Sequence, residues 1–369
     1  MNCKRCILHD DVPGVKVNPA TQQCAQCDLY DALSKEYTVE KLEKLIARIK
    51  KDGKGKPYDV VVGISGGCDS SWLLVRATQV FGLRVLAVNY DNAGWGTQIA
   101  TDNMQKMVSG CEVDFLQVRS TREDYDKIVR EHLLAGVPDI ESVADLGLAS
   151  VINEAASRFG VKHVFNGHNF RTEGVQPTTL QYMDDKYLQA VCKERGVEIG
   201  PSIPRLGMWK QVKWALKGIQ RHRPHWYFPY KKSFVKRELT SEFGWEDYGG
   251  HHYENLLTKY FHSYFLPTRF GMDQYIFTCA AMCRNGEWSQ MEALSEFHSI
   301  RDIDPSLEKM VRERLGLSES DFKAAMSAPK KFYTDYDNYQ KLFKLTKPMW
   351  WLFMKLHRVP KSFYLKMVK

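Results

Sequence analysis

Residues 65 to 71 read S-G-G-C-D-S-S. Ser65, Gly66, Gly67, Asp69, Ser70 and Ser71 therefore place two glycines, three hydroxyls and a carboxylate in one short stretch. Glycines let a backbone approach a ligand closely, and hydroxyls donate to anionic oxygens, so phosphate is the natural guest. The nucleotide loop of kinases and GTPases needs G-x-x-x-x-G-K-[ST], and no lysine stands in this stretch. Four thiols form a second set. Cys3, Cys6, Cys24 and Cys27 are spaced C-x2-C-x17-C-x2-C, which matches a four-thiolate zinc ribbon in pair spacing and gap. Four sulfurs close the metal's shell against water, so the ribbon reads as structural; an iron–sulfur cluster is the remaining alternative.

The elements around these residues decide how they can act. Tyr58 to Ile64, apart from Asp59 and Gly63, is apolar and largely β-branched, as in a strand of a parallel sheet covered on both faces. From Asp69 the apolar spacing becomes helical and runs to Val80, with Gly82 as the stop. Ser65, Gly66 and Gly67 form the turn between the two. Asp69, Ser70 and Ser71 occupy the helix's first turn, where unpaired N–H groups and the positive end of the dipole favour an anion. Residues 83–92 read as a second buried strand ending near Asp91, 113–118 as a third and 161–169 as a fourth, which delivers Gly167, His168 and Asn169. Ligands of such sheets bind outside the carboxyl ends of the strands. His168 reads equally well as a structural histidine.

The chain of 369 residues is long enough for two or three domains. Its apolar runs fall far short of the ~18 residues of a membrane span, and no charged-then-apolar leader opens it. The expected location is the cytoplasm, where nine cysteines stay reduced or hold metal. Cys68 reads as a spectator within its loop, and Cys279 and Cys283 share a helix face in the core. The net charge of +8 is confined to residues 330–369, which hold ten Lys or Arg, two acids and ten aromatics. Such a tail packs its aromatic side on the core, lies at a membrane surface, holds nucleic acid or docks on a partner. A second basic stretch, 221–239, contains Pro224 and Pro229 and reads as a loop near the site, fit to receive an anionic substrate.

The S-G-G-x-D-S turn resembles the pyrophosphate loop of the PP-loop ATP pyrophosphatases, the group of GMP synthetase, asparagine synthetase and the tRNA-thiolating enzymes. "GHNFRTEG" (167–174) is similar to their second motif, although Phe170, Arg171 and Thr172 stand where many members carry an aspartate pair. Taken together, "CKRCIL", the second cysteine pair, "GISGGCDSS", "VNYDNAGWGTQIA" and "GWEDYGGHHYENLLTKYFHSYFLPTRFGMD" (244–273) resemble the N-acetyl sugar amidotransferases of bacterial surface-polysaccharide biosynthesis.

That resemblance implies an α/β fold: a Rossmann-like parallel sheet at 36–200, behind a zinc-ribbon cap at 1–35 and before a mainly helical region at 201–369 that binds substrate or partners. It implies ATP, Mg2+ and structural Zn2+, and conversion of an acetamido group on a nucleotide-linked sugar to an acetamidino group. Ser65, Gly66, Gly67, Asp69, Ser70 and Ser71 would meet pyrophosphate and magnesium. Asp91, Gly167, His168 and Asn169 would line the nucleotide, and Arg171 and Glu173 the transferring group. His251, His252, Glu254 and Lys259 would orient the sugar nucleotide, although the helical spacing of Tyr253, Leu256, Leu257, Tyr260, Phe261 and Tyr264 makes some of them structural.

Ammonia would come from a separate glutaminase and a barrel-shaped subunit similar to the halves of imidazole glycerol phosphate synthase. Position 2 is Asn rather than a glutaminase cysteine, and no cysteine occupies a G-x-C-x-G elbow. Binding of nucleic acid is not expected on this reading. Two alternatives differ in class. A tRNA-thiolating pyrophosphatase would need reactive cysteines, for which only Cys279 and Cys283 offer themselves; a non-catalytic partner would bind ATP and recruit others through its tail.

Overall fold

The computed structural model describes residues 1–175, 181–250, 252–299 and 305–368. Five parallel strands form its sheet: β1 (Val60–Gly63), β2 (Val85–Asp91), β3 (Asp114–Arg119), β4 (His163–Phe165) and β5 (Gln220–His222). Their order is β3-β2-β1-β4-β5. Side chains alternate across the sheet, so Val60 and Val62 enter one core and Val61 the other. Both faces are therefore covered, as a run without polar positions requires.

One face is covered by α2 (Val39–Asp52), which follows α1 (Ala25–Glu36), and by α3 (Cys68–Val75) and α4 (Gln98–Gly110). The other face packs against α5 (Arg122–Ala135), α6 (Ser142–Arg158) and α7 (Asp185–Glu194). Each Val, Leu or Ile fully buried there contributes about 1.5–3 kcal/mol. α3 runs on as a π-helical turn over Arg76–Val80 and stops at Gly82, whose φ of +59° needs a glycine.

Past α8 (Met208–Leu216) the chain adds β5. The expectation of a loop over 221–239 is corrected: β5 occupies 220–222, and α9 (Lys232–Phe243) starts after Pro229, beyond which no proline or glycine interrupts the helix. The fourth strand is also shorter than 161–169: only His163–Phe165 is strand, Asn166 N makes a last bond to the His222 carbonyl, and residues 166–169 are irregular. α10 (Leu256–Tyr260) widens into a π-helical segment, Phe261–Phe270, and leads to α11 (Tyr275–Arg284) and α12 (Gln290–Ser299). α13 (Pro305–Arg314) and α14 (Glu319–Ser327) return to the sheet's core.

The basic tail is helical, with α15 (Gln340–Leu345) and α16 (Lys347–Lys355). Phe343, Trp350, Phe353 and Tyr364 lie buried with residues of α7 and α8. The aromatic side thus packs on the body, as one of the sequence readings has it. Among the described residues no helix is long and apolar enough to cross a membrane.

Candidate active site

β1 and β4 are neighbours, yet the chain leaves them toward opposite edges of the sheet. A strand pair that diverges in this way opens a crevice at its carboxyl end. Two turns meet there. Gly66 has a φ of +78°, and a Cβ on it would stand 1.9 Å from the Ala100 carbonyl oxygen, so only glycine fits. From the β4 side, a Cβ on Gly167 would lie 3.3 Å from the Ser70 nitrogen, which places this turn directly on the first turn of α3. Ser70 Oγ accepts from Ser65 N at 3.2 Å and donates to the Gly67 carbonyl at 3.1 Å. Ser71 is fully buried, and its hydroxyl has no hydrogen-bond partner.

The stretch after β5 folds over both turns. The Trp245 indole donates to the Gly66 carbonyl and the Trp226 indole to the His168 carbonyl, each at 3.0 Å. His225 Nε2 donates to the Asp69 carbonyl at 2.9 Å, and the Tyr248 hydroxyl accepts from Cys68 N at 3.2 Å. Lys232 Nζ, at the start of α9, lies 3.2 Å from Asp69 Oδ2. Burial pushes the Asp69 carboxyl up, but the charge of Lys232 and the nearby His225 outweigh it and hold it below its ordinary value. Its Oδ1 has no hydrogen-bond partner. Sequence reasoning did not assign Lys232, His225, Trp226, Trp245 or Tyr248; the local signals were the basic, aromatic composition of 221–239 for the first three and, for Trp245 and Tyr248, their place in the 244–273 stretch that carries the resemblance.

Glu173 stands with Oε2 3.7 Å from His168 Nε2. Burial, followed by the negative charge of Asp69, pushes its carboxyl up to about 7. Burial, helped by Arg223, pushes His168 down to about 3, so this imidazole is neutral. His252 adopts a φ of +61°, rare for a residue with a side chain, and its Nδ1 is 3.5 Å from Glu254 Oε1. Burial opposes the charge on both, yet their pairing raises His252 and lowers Glu254, so they form an ion pair. Glu254 faces the turn after β1: its Oε1 lies 3.5 Å from where a Gly67 Cβ would stand. The backbone explains how it gets there, since Thr97 N donates to the Glu254 carbonyl and Leu256 N to the Trp95 carbonyl, both at 2.9 Å. This short pairing fastens the helical region to the loop after β2.

The turns, Glu173, His252 and Glu254 thus share one crevice. Other expected residues are placed differently. Arg171 turns to α1, where its Nη1 donates to Ser34 Oγ at 3.1 Å and its guanidinium lies over the Phe170 ring. Asp91 accepts from Gly94 N at 2.7 Å and pairs with Arg119, closing the turn after β2. Lys259 Nζ sits 4.1 Å from the Tyr253 ring centroid, and His251 lies outside the described residues. The Cys68 side chain points into the core, where burial pushes its thiol up to about 12. Cys279 is buried beside the four N-terminal cysteines rather than at the crevice.

Cys3, Cys6, Cys24 and Cys27 are buried with their sulfurs within 4.8 Å of one another. The separations of 3.5 to 3.7 Å exclude disulfides, whose sulfurs stand ~2.05 Å apart. They suit a tetrahedron around one ion with Zn–S bonds of ~2.3 Å. Arg284 Nη1 reaches Cys6 Sγ at 3.4 Å and offsets thiolate charge. The donor set fits Zn2+. α1, which begins directly after Cys24, holds Tyr30 edge-on against Phe170 and Ser34 as the acceptor from Arg171.

No curated protein matches the chain. Among the solved structures that align are two synthetases with low scores. The NH3-dependent NAD synthetase from Campylobacter jejuni subsp. jejuni, in complex with the nitrate ion, is 11% identical with a TM-score of 0.34, covering 82% of this chain and 99% of its own. The NMN synthetase from Francisella tularensis is 12% identical with a TM-score of 0.35, covering 79% and 95%. Scores this low carry no argument, and the fold rests on the strand order above. Residues 254–355, which begin at the glutamate facing the turn after β1, match the family described as LPS biosynthesis protein WbpG-like, C-terminal domain, and it is to these LPS biosynthesis proteins that the chain is similar over that segment.

Proposed function

We propose that the protein is an ATP-dependent amidotransferase that converts an acetamido group of a nucleotide-linked sugar to an acetamidino group in lipopolysaccharide or related surface-glycan synthesis. One observation carries this reading: the WbpG-like segment opens at Glu254, and Glu254 lies against the phosphate turn at the β1/β4 crevice. A segment similar to LPS biosynthesis proteins and a lysine-free phosphate turn thus face the same space.

In the proposed reaction the amide oxygen attacks the α-phosphorus of ATP, and pyrophosphate leaves. Ammonia then adds to the imidate carbon, and AMP departs with the former amide oxygen. The amide needs this step because its oxygen is a poor leaving group until it carries a phosphoryl group. Ser65, Ser70 and the backbone of Gly66 and Gly67 would bind the pyrophosphate. The free Oδ1 of Asp69 fits a Mg2+ ion, which when bound neutralises phosphate charge. Lys232 would stabilise the negative charge that leaves on pyrophosphate.

Glu173, with its carboxyl near 7, suits the acceptor of the proton that ammonia must shed. His252 and Glu254 would orient the sugar, while Gly167, His168 and Asn169 would line the nucleotide. Arg171 positions the Glu173 turn from α1 rather than touching the reacting atoms. Zn2+ would hold the ribbon together. A separate glutaminase and a barrel-shaped subunit would deliver ammonia, and the cytoplasm would house the reaction.

The test supplies the purified chain with ATP, ammonium chloride and a pool of UDP- and CMP-linked N-acetyl sugars, with bulk tRNA as the competing substrate. Sugar-dependent AMP and pyrophosphate, with a product about one mass unit lighter because NH replaces O, support the proposal. Turnover only with tRNA and a sulfur donor would replace it with the thiolating reading.

A further inference from the structure

From Asn338 to Lys369 the chain carries eight Lys or Arg and no Asp or Glu. The inner side of its helices is occupied, since Phe343, Trp350 and Phe353 are buried. The outer side of α16 is not polar. Trp351 is 48% exposed and Leu352 50%, Leu356 is 41% exposed just after the helix, and Leu345 is 80% exposed just before it. Spacing of four residues makes Lys347, Trp351 and Lys355 one stripe, with Pro348, Leu352 and Leu356 beside it. Lys355 Nζ lies 5.7 Å from the Trp351 ring centroid. α8, buried in the same cluster through Met208 and Ala215, likewise exposes Trp209 at 74% and Leu216 at 68% beside exposed lysines.

Exposed Trp and Leu ringed by lysine, with no acid in the stretch, is the composition of a helix lying in a bilayer interface. Leucines enter the acyl boundary, the indole sits among headgroups, and lysines snorkel to lipid phosphates. A protein partner fits less well, because interface cores are depleted of lysine. Nucleic acid fits less well too, because the rings that would stack on bases are largely buried while leucines are presented. We propose that the outer face of α16 seats this protein on a membrane surface rich in anionic phospholipid, without crossing it.

The full-length chain is sedimented with phosphatidylcholine vesicles and with vesicles containing phosphatidylglycerol. Binding should be at least roughly tenfold tighter to the anionic vesicles and weaken with salt. Lys347→Glu combined with Lys355→Glu should abolish it, as should Leu352→Glu. Brominated lipid should quench tryptophan fluorescence in the wild type, and Trp351→Phe should lose most of that quenching while still sedimenting. These side chains are exposed, so an unchanged unfolding midpoint separates lost docking from lost folding. Equal sedimentation with neutral and anionic vesicles would overturn the proposal. So would Leu352→Glu binding as tightly as wild type, or bulk tRNA binding that this variant retains.

Discussion

Lys232 Nζ lies 3.2 Å from Asp69 Oδ2, although 163 residues separate them in the chain. The turn after β1 lacks its own lysine, and the start of α9 places one beside it. Both side chains are largely shielded from solvent, at 16% and 14% exposed. Removing one partner of such a pair strands the other charge, at a cost of about 3–5 kcal/mol. Lys232→Met should therefore lower stability and suppress pyrophosphate release. Lys232 also helps hold the Asp69 carboxyl low, so without it burial raises that carboxyl. A rate that needs ionised Asp69 would then be lost at a higher pH as the solution is acidified. Pyrophosphate release across pH 4–8 checks this; an acid limb unmoved in the residual activity would contradict it.

Glu173 has the opposite sign. Its carboxyl is raised to about 7 in the folded chain, above the ~4.3 of an unfolded glutamate. The folded state then binds the extra proton between these values, so this group's contribution to stability is present below about pH 4 and is lost as pH rises through 7. Glu173→Gln should raise the unfolding midpoint more at pH 8 than at pH 5, while lowering turnover with ammonia. Equal shifts at both pH values would sink the assignment.

Gly66→Ala should remove nucleotide binding. The added Cβ would meet the Ala100 carbonyl at 1.9 Å on a backbone already at φ +78°. Gly167→Ala meets its nearest atoms at 3.3 Å and should weaken binding without abolishing it. Calorimetric titration with ATP would rank the two, and Gly66→Ala binding as well as wild type would contradict the account of the turn.

The four-sulfur cluster should release one zinc per chain when its thiols are modified, read by a colorimetric chelator. Because α1 supports Arg171 through Ser34 and Tyr30, zinc loss should expose the region before Glu36 to protease and lower the unfolding midpoint. Cys24→Ser should do the same. Full zinc content in that variant would refute the four-thiolate site.

The strands β1 and β2, the glycine turn after β1 and the cysteine cluster were legible because each is written locally: a β-branched run, a glycine pair, two C-x2-C knuckles. β5 was not, since Gln220, Arg221 and His222 are polar and their place follows from pairing with β4. α9 was hidden by two prolines that precede it. The clamps on the turns, from Trp226, Trp245, Tyr248 and Lys232, span 58 to 180 residues of chain and leave no local period. Arg171 illustrates the reverse case. Its motif neighbours pointed to the reacting group, but the guanidinium is held at α1 by Tyr30 and Ser34 and lies over the Phe170 ring.

The central claim is that the amide oxygen leaves on AMP. The chain, ATP, ammonium and a nucleotide sugar whose acetamido carbonyl carries oxygen-18 would decide it by mass analysis of the AMP. The account predicts label in AMP and none in pyrophosphate. Unlabelled AMP from a reaction that still yields amidine would contradict it.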